Sequence, residues 1–269
     1  MRSIAYLTTV CLLLGLTGIL QAQEEASAAT LYNQGLELLK AKNYEEAFPL
    51  MEKAIEVADP EAEADVEVVK LAKRNGAIAA YYVGNGQRKD DDFENALITY
   101  DKGIAMSSGF YANYIGRAQA LEGKGETTEA IKAYIAAGDI CEKAKKADKA
   151  EQMYAKSENL VALAWGDKKW ANTQEYAMAF LESRETPEVH FYLGYALKEQ
   201  GNTEKGLEHL DKAIELAGSG DTGKYYMAKA ETHELAGQKE AAVEAYRKVS
   251  DAKYTERAQY KIKELSGGK

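Results

Sequence analysis

The sequence predicts an all-helical protein assembled from repeated helix pairs, and three observations lead to this fold class. Proline occurs only 3 times in 269 residues, while the strong helix formers Ala, Glu, Lys and Leu are common. Similar segments recur at spacings of 49, 34, 76 and 36 residues, which are one or two periods of 34 plus short insertions. Inside each segment, small and large residues alternate at helical spacing. The segments begin at Lys42, Asp91, Gly125, Gly201 and Gly237.

Each segment carries the apolar stripe of one helix. A small residue is followed four positions later by a large one, so both lie on the same helical face. The small residues are Ala47, Ala96, Ala130, Gly206 and Ala242, and the large ones are Met51, Tyr100, Tyr134, Leu210 and Tyr246. A second helix upstream has its own small residue, which is Gly35, Gly84, Ala118, Gly194 or Ala230. Small residues on both helices allow the two axes to approach closely.

This alternation resembles the tetratricopeptide repeat family, whose unit is an antiparallel helix pair of about 34 residues. The resemblance covers roughly residues 28–256. It implies a right-handed α-solenoid of about six helix pairs, followed by a C-terminal capping helix. The sequence departs from the family at Leu31 and His190, where the first helix of a unit usually has an aromatic residue. The repeats are expected at residues 28–61, 77–110, 111–144, 153–186, 187–220 and 223–256.

Two regions fit the period less well. A divergent fourth unit is expected upstream of Gly206, because counting back 34 positions reaches Asn172, where a small apolar residue is expected. Trp165 and Trp170 can still pack a helix pair in this region. Between the first two units, the extra residues 61–76 have a helical pattern and predict a lengthened or additional helix.

The last part of the chain, residues 253–265, predicts the capping helix. Its apolar residues fall on one face with charged residues opposite, and they are Tyr254, Ala258, Ile262 and Leu265. Such a helix covers an apolar end of the repeat stack that would otherwise face water.

The first 22 residues have the features of a secretory signal peptide that is cleaved after Ala22. Arg2 provides the positive start, and no other charged residue occurs before Glu24. Cys11 lies inside the apolar stretch instead of directly after it, so lipidation is not expected. An uncleaved membrane anchor is the alternative, since about 20 uncharged residues can span a bilayer. Cleavage predicts a periplasmic or secreted protein that does not insert into the membrane.

The mature chain, residues 23–269, is expected to form one domain with Cys141 as its single cysteine. The full chain has 34 basic and 43 acidic residues and a net charge of −9, which argues against binding to nucleic acid. Residues 23–66 carry 3 Lys and 11 acids, whereas residues 222–269 carry 10 Lys and Arg and 7 acids. This asymmetry predicts weak self-association, and solvated helix faces explain it equally well.

The chemical motifs in the sequence are weak. The stretch from Gly218 to Lys224 satisfies the pattern G-x-x-x-x-G-K, but Tyr225 stands where a phosphate-binding loop needs Ser or Thr, and a helix precedes it instead of a strand. The imidazoles have no second ligand at metal-binding spacing. We therefore expect no catalytic residue, no cofactor and no metal site. The three histidines are His190, His209 and His233.

The family resemblance implies a function in binding. In this family the exposed face of the first helix of each pair lines a concave groove that binds proteins or peptides. Aromatic rings beside Arg and Lys predict a partner segment with an acidic or carboxyl-terminal group, although aromatic residues at helical spacing can equally pack between units. By position, the partner-binding residues are Tyr32, Tyr81, Asn85, Arg88, Lys89, Gln119, Phe191, Tyr195 and Lys198.

The sequence thus predicts an exported scaffold or adaptor that binds a protein or peptide in the bacterial cell envelope, without catalysis. Two alternatives stay open. One is an enzyme or small-ligand binder with a site near Trp165 and Trp170, where the repeat is irregular. The other is an architectural spacer made of stacked units.

Overall fold

The computed structural model describes residues 26–267, and within this range the secondary structure is entirely α-helical. The signal peptide predicted at residues 1–22 lies outside the described residues. The helices are α1 (Ala28–Lys40), α2 (Tyr44–Glu56), α3 (Glu63–Lys89), α4 (Phe93–Met106), α5 (Tyr111–Lys124), α6 (Thr127–Lys143), α7 (Ala147–Gly166), α8 (Trp170–Leu181), α9 (Pro187–Glu199), α10 (Thr203–Ala217), α11 (Gly223–Leu235), α12 (Lys239–Arg247) and α13 (Ala252–Leu265). None of them is both long and apolar enough to cross a bilayer.

The first twelve helices form six consecutive pairs, which confirms the predicted solenoid of helix pairs. A turn of two or three residues joins the two helices of each pair, and one residue of each turn has a left-handed backbone. Gly is best suited to this conformation, but Lys and Asp occupy it in three of the turns. The residues and their φ angles are Lys42 (63°), Asp91 (59°), Gly125 (83°), Lys168 (57°), Gly201 (80°) and Gly237 (72°).

The predicted small residues lie where the two helices of a pair touch. In the fifth pair, a Cβ atom placed on Gly194 would lie 2.9 Å from the carbonyl oxygen of Gly206, and one placed on Gly206 would lie 3.0 Å from the carbonyl oxygen of Gly194. These distances leave no room for a side chain at either position. The corresponding alanines of the other pairs, Ala47, Ala96, Ala130 and Ala242, are completely buried.

The fourth pair begins earlier than predicted, since α7 starts at Ala147 and not near residue 153. Thr173, not Asn172, takes the buried position of the second helix, while Asn172 is exposed. Thr173 can be buried because its hydroxyl donates a hydrogen bond of 3.0 Å to the Lys169 carbonyl. Thr173 lies 33 positions before Gly206, so counting back 34 positions reached Asn172, one residue too early.

Helices were also predicted from the sequence in two further regions. The extra residues between the first and second units form no separate helix, because α3 is continuous over 27 residues. At the C-terminus, α13 begins at Ala252 and buries Ala258 against the last pair, with Tyr254, Ile262 and Leu265 packed around it. This is the predicted capping helix.

The odd-numbered helices lie side by side along much of the chain. Contacts join α1 to α3, α3 to α5, α7 to α9, α9 to α11, and α11 to α13. Next to the divergent fourth pair, α6 also packs against α8. This arrangement brings side chains from α7, α9, α11 and α13 to one surface.

Candidate functional site

We use the term odd-helix face for the surface formed by corresponding residues of the odd-numbered helices. In most of these helices, one such residue lies three positions before the small residue of that helix, and another lies directly after it. The face is defined here by the pairs Tyr32 and Leu36 in α1, Tyr81 and Asn85 in α3, Ile115 and Gln119 in α5, Phe191 and Tyr195 in α9, and Met227 and Glu231 in α11.

The C-terminal part of the odd-helix face contains a cleft of about 180 Å³, which we call the Trp165 cleft. Each of the helices α7, α9, α11 and α13 contributes to its walls. The lining residues are Trp165, Phe191, Tyr195, Lys224, Met227, Ala228, Glu231, Tyr254 and Arg257.

Aromatic rings build one wall of the Trp165 cleft. The Trp165 ring centroid lies 5.5 Å from that of Phe191, 5.2 Å from that of Tyr192 and 5.7 Å from that of Tyr195. The ring centroid of Trp170, at the start of α8, lies 5.7 Å from that of Tyr195. Tilted and edge-on contacts at these distances are favourable for aromatic pairs, so the wall is held in place by its own packing.

The charged groups of the cleft are bonded to one another. The Lys198 side chain is only 4% exposed, and its Nζ lies 3.0 Å from Glu199 Oε1 and 3.1 Å from Glu231 Oε2. Arg257 Nη2 approaches the other oxygen of Glu231 at 2.8 Å. Burial alone lowers the pKa of Lys198, but the bond to Glu199 and the charge of Glu231 outweigh it and raise this pKa above its ordinary value. Lys198 is therefore a fixed, charged member of a buried ion cluster.

A second charged cluster lies at the start of α9 and α11. Lys224 Nζ is 3.3 Å from Glu188 Oε1, and the same oxygen accepts a hydrogen bond of 2.9 Å from the Tyr225 hydroxyl. Glu158 on α7 accepts a bond of 3.0 Å from the Thr186 hydroxyl, and burial raises the pKa of this carboxyl group. These bonds tie α7, α9 and α11 together beside the cleft.

The N-terminal part of the odd-helix face is used largely for packing. Tyr32 is half-buried, and its hydroxyl accepts a hydrogen bond of 3.1 Å from Asn75 Nδ2. Tyr81 is also half-buried and meets Tyr82 and Phe110 edge-on, with ring centroids 5.2 Å and 6.2 Å away. These two predicted partner-binding residues therefore already have partners within the chain.

The remaining predicted residues in this part of the chain differ in exposure. Asn85 accepts a hydrogen bond of 2.8 Å from the Tyr100 hydroxyl. The Nε atom of Arg88 is buried and has no hydrogen-bond partner among residues 26–267. Gln119 is half-buried and Lys89, at the end of α3, is exposed.

The structure brings only some of the predicted site residues together. Phe191, Tyr195 and Lys198 meet at the Trp165 cleft, but Phe191 and Lys198 are buried and form its wall and support, contrary to the expectation of an exposed face. Lys224, Glu231, Tyr254 and Arg257 were not predicted. The position of Glu231, directly after the small residue Ala230, matches that of Tyr195 after Gly194, so the repeat pattern could have identified it. Arg257 lies in the capping helix, which has no repeat motif.

Other reactive groups lie elsewhere. His190 and His209 are stacked with their Nδ1 atoms 3.0 Å apart, and Cys141 is buried in the core. Among the described residues, no group of three or more His, Cys, Asp or Glu side chains is arranged to hold a metal ion.

Comparison with known proteins gives a consistent result. Sequence models of the tetratricopeptide repeat match residues 28–60, 187–219 and 223–255. These ranges begin at the same residues as the first, fifth and sixth predicted repeats and end one residue earlier. No curated protein matches the chain.

Several solved structures are similar to this chain at low identity. A thermophilic TPR protein of Thermus thermophilus is 16% identical, with 88% of this chain and 99% of that chain covered and a TM-score of 0.32. YrrB, described as a TPR protein with an unusual peptide-binding site, is 17% identical, with 71% and 87% covered and a TM-score of 0.35. Pseudomonas aeruginosa pilF is 17% identical, with 90% and 97% covered and a TM-score of 0.35.

Proposed function

The chain belongs to the tetratricopeptide repeat family, and we propose that it is a scaffold or adaptor whose odd-helix face binds a segment of a partner protein. Binding, and no bond making or breaking, is its proposed activity. The observation that carries this proposal is the Trp165 cleft, in which four helices from different units converge on one small aromatic surface. Rigid aromatic side chains in a desolvated pocket are typical of the positions that dominate protein interfaces.

The size of the cleft favours a polypeptide partner over a small substrate. Its volume of about 180 Å³ is below the range of roughly 300–1,000 Å³ that is usual for small-molecule sites. An enzyme or small-ligand site near Trp165 and Trp170 is the second candidate, since Trp165 brings a side chain of the irregular fourth pair into the cleft. The ion pairs of Lys198, Glu231 and Arg257 favour a structural role for these charges over a catalytic one.

The proposed setting is the bacterial cell envelope, reached through the N-terminal signal sequence. The support is the uncharged stretch that follows Arg2 and ends at Ala22. Expression in a bacterial host tests it. We expect the periplasmic or secreted protein to start at Gln23 by intact mass and N-terminal sequencing. A cytoplasmic protein that keeps Met1 would contradict export. A membrane-bound protein that keeps Met1 would favour the uncleaved anchor.

Site-specific photo-crosslinking tests the binding surface. A photoreactive amino acid replaces Arg257 at the rim of the Trp165 cleft, and in a matched control it replaces Glu208, which is exposed on the even-numbered helix α10. We expect the protein with the crosslinker at position 257 to capture one dominant polypeptide in cells, and the control protein not to capture it. Capture that is equal at both positions, or absent from both, would contradict the proposal. The double variant Tyr81→Ala, Arg88→Ala tests whether the N-terminal part of the face also contributes.

Weak self-association is a further part of the proposal. It is supported by the acidic balance of residues 23–66 and the basic balance of residues 222–269. Opposite charges at the two ends of a chain attract one another at low ionic strength and are screened by salt. Sedimentation at about 20 mM and about 500 mM salt tests it, since the screening lengths differ several-fold. A monomer at both salt concentrations would exclude this association.

A further inference from the structure

We infer that the Trp165 cleft binds one large, uncharged apolar side chain of the partner, together with a neighbouring peptide carbonyl, and not an acidic or carboxyl-terminal group. This inference rests on the proposed function and specifies the chemistry of the partner. The sequence, with its aromatic rings beside Lys and Arg, predicts instead a partner segment with an acidic or carboxyl-terminal group.

The first argument is the charge state of the cleft. Lys224 and Arg257 line the cleft, and the buried Lys198 lies over the ring of the lining residue Tyr195. Each of these three cations is within 3.3 Å of a carboxylate oxygen. The three matching carboxylates belong to Glu188, Glu199 and Glu231, so the charges are balanced before any ligand arrives. An incoming carboxylate would have to lose its hydration and compete with these existing partners, which is unfavourable in a partly buried site. An uncharged side chain meets neither cost.

The faces of the aromatic rings lead to the same conclusion. Lys198 Nζ already lies 3.6 Å from the centroid of the Tyr195 ring, and Lys224 Nζ lies 5.6 Å from that of Phe191. These rings therefore have cations of the chain itself beside them. The remaining lining includes the rings of Trp165 and Tyr254 and the nearly buried side chains of Met227 and Ala228, all of which suit apolar contacts.

The indole N–H of Trp165 adds a polar preference. Its nitrogen is buried and has no hydrogen-bond partner in the part of the chain that the structure describes. A buried donor without a partner is unfavourable, because it has lost water and gained nothing in exchange. Because Trp165 lines the cleft, a small tilt of its ring on ligand entry would let a peptide carbonyl next to the apolar side chain accept this bond, without bringing a charge into the cleft. The volume of about 180 Å³ suits one side chain and its adjoining carbonyl better than a longer segment.

Nuclear magnetic resonance provides a direct test, because the chain has only 2 tryptophans and hence two indole N–H signals. The full-length protein, labelled with nitrogen-15 in tryptophan, is titrated separately with N-acetyl-leucinamide, N-acetyl-phenylalaninamide, N-acetyl-phenylalanine with a free carboxylate, and N-acetyl-aspartamide with a free side-chain carboxylate. Trp165→Phe assigns the two signals, and Trp170 serves as the internal reference. We expect the two neutral apolar amides to shift the Trp165 signal, and the two charged probes to bind about tenfold more weakly or not at all.

Salt concentration separates the two kinds of ligand. We expect the affinity for N-acetyl-phenylalaninamide to change little between low and high salt, because no net charge is brought together on binding. A carboxylate-binding site would instead lose affinity for N-acetyl-phenylalanine at high salt.

Two results would overturn the inference. One is tighter binding of either charged probe than of its neutral counterpart, and the other is an unchanged Trp165 signal with both neutral apolar amides. If photo-crosslinking at Arg257 still captures a polypeptide, such a result rejects only the ligand chemistry, and the proposed function stands. If the crosslinking also fails, the binding function itself is rejected.

Discussion

The Tyr100 ring occupies the space that a side chain on Gly116 would need. A Cβ atom placed on Gly116 would overlap the ring carbons Cε1 and Cζ of Tyr100, and one placed on Gly84 would lie 2.7 Å from Cε1. Tyr100 is fully buried in α4, between the first helices of the second and third pairs. Its hydroxyl reaches Asn85 at 2.8 Å. One tyrosine therefore joins two repeat units, and glycines on both neighbouring helices make room for it.

Gly116→Ala should be destabilising for this reason. We expect the free energy of unfolding to fall by about 1–3 kcal/mol, since the added methyl group forces the buried ring or the helix to move. Urea unfolding followed by circular dichroism measures the change. Gly109→Ala is the matched control, because nothing lies within 4 Å of a Cβ atom at that position. Equal stability of the two variants would contradict the contact.

Ala130→Leu tests the contact within the third pair. Ala130 is completely buried in α6, so a leucine side chain should force the two helices apart and cost about 1–3 kcal/mol of stability. Ala136→Leu in the same helix serves as the control, since Ala136 is exposed. Thermal unfolding compares the two variants with the parent protein. An unchanged melting temperature for Ala130→Leu would show that this residue does not lie at a close contact.

Lys168→Gly should stabilise the protein. Lys168 has a φ of 57° in the turn of the fourth pair, where a residue with a side chain is strained by about 1–2 kcal/mol. Glycine removes this strain but loses more backbone entropy on folding, so the expected net gain is below about 1 kcal/mol. The reverse change in an equivalent turn, Gly125→Ala (φ 83°), should destabilise. Chemical denaturation measures both, and a loss of stability in Lys168→Gly would contradict a left-handed turn there.

Stability should fall as the pH is lowered through the range in which histidine titrates. Burial, followed by the nearby His209, lowers the pKa of His190 below its ordinary 6.5, while Glu185 acts in the opposite direction. The unfolded chain then binds protons more readily than the folded protein, so acid favours unfolding. This contribution to stability is complete above the unfolded pKa of 6.5 and is lost as the pH falls from there through the lower folded pKa.

Urea unfolding between about pH 7.5 and pH 5 measures this dependence for the parent protein, His190→Gln and the control His233→Gln. We expect His190→Gln to show a smaller loss of stability over this range, whatever its stability at pH 7.5. The readout is the slope with pH, so a general destabilisation by the substitution does not affect it. A slope equal to that of the parent protein would exclude a role for His190.

The helix pairs were predictable because their cause is local in the sequence. The alternation of Ala96 and Tyr100, or of Ala242 and Tyr246, follows from the 3.6-residue period of a helix, and close packing demands a small residue at each helix contact. The fourth pair was placed less accurately because its marker is Thr173, a polar residue that is buried only by virtue of its bond to the Lys169 carbonyl. No apolar pattern reveals such a residue.

The candidate site was predicted only in part. Phe191, Tyr195 and Lys198 could be selected from one helix by their spacing alone. The cleft they share with Glu231 and Arg257 depends on how α9, α11 and α13 stack, and residues far apart in the sequence define it. The same stacking decides that Lys198 is buried in an ion cluster and is not offered to a ligand.

The sequence by itself determined the helical class, the pairing of helices and the presence of a terminal cap, because short-range periodicity and side-chain size specify them. The tertiary structure alone decided which charges neutralise one another and where aromatic rings close around a cleft. Electrostatic pairing and burial depend on distances of a few ångströms between separate helices, and such distances are set only when the units pack together.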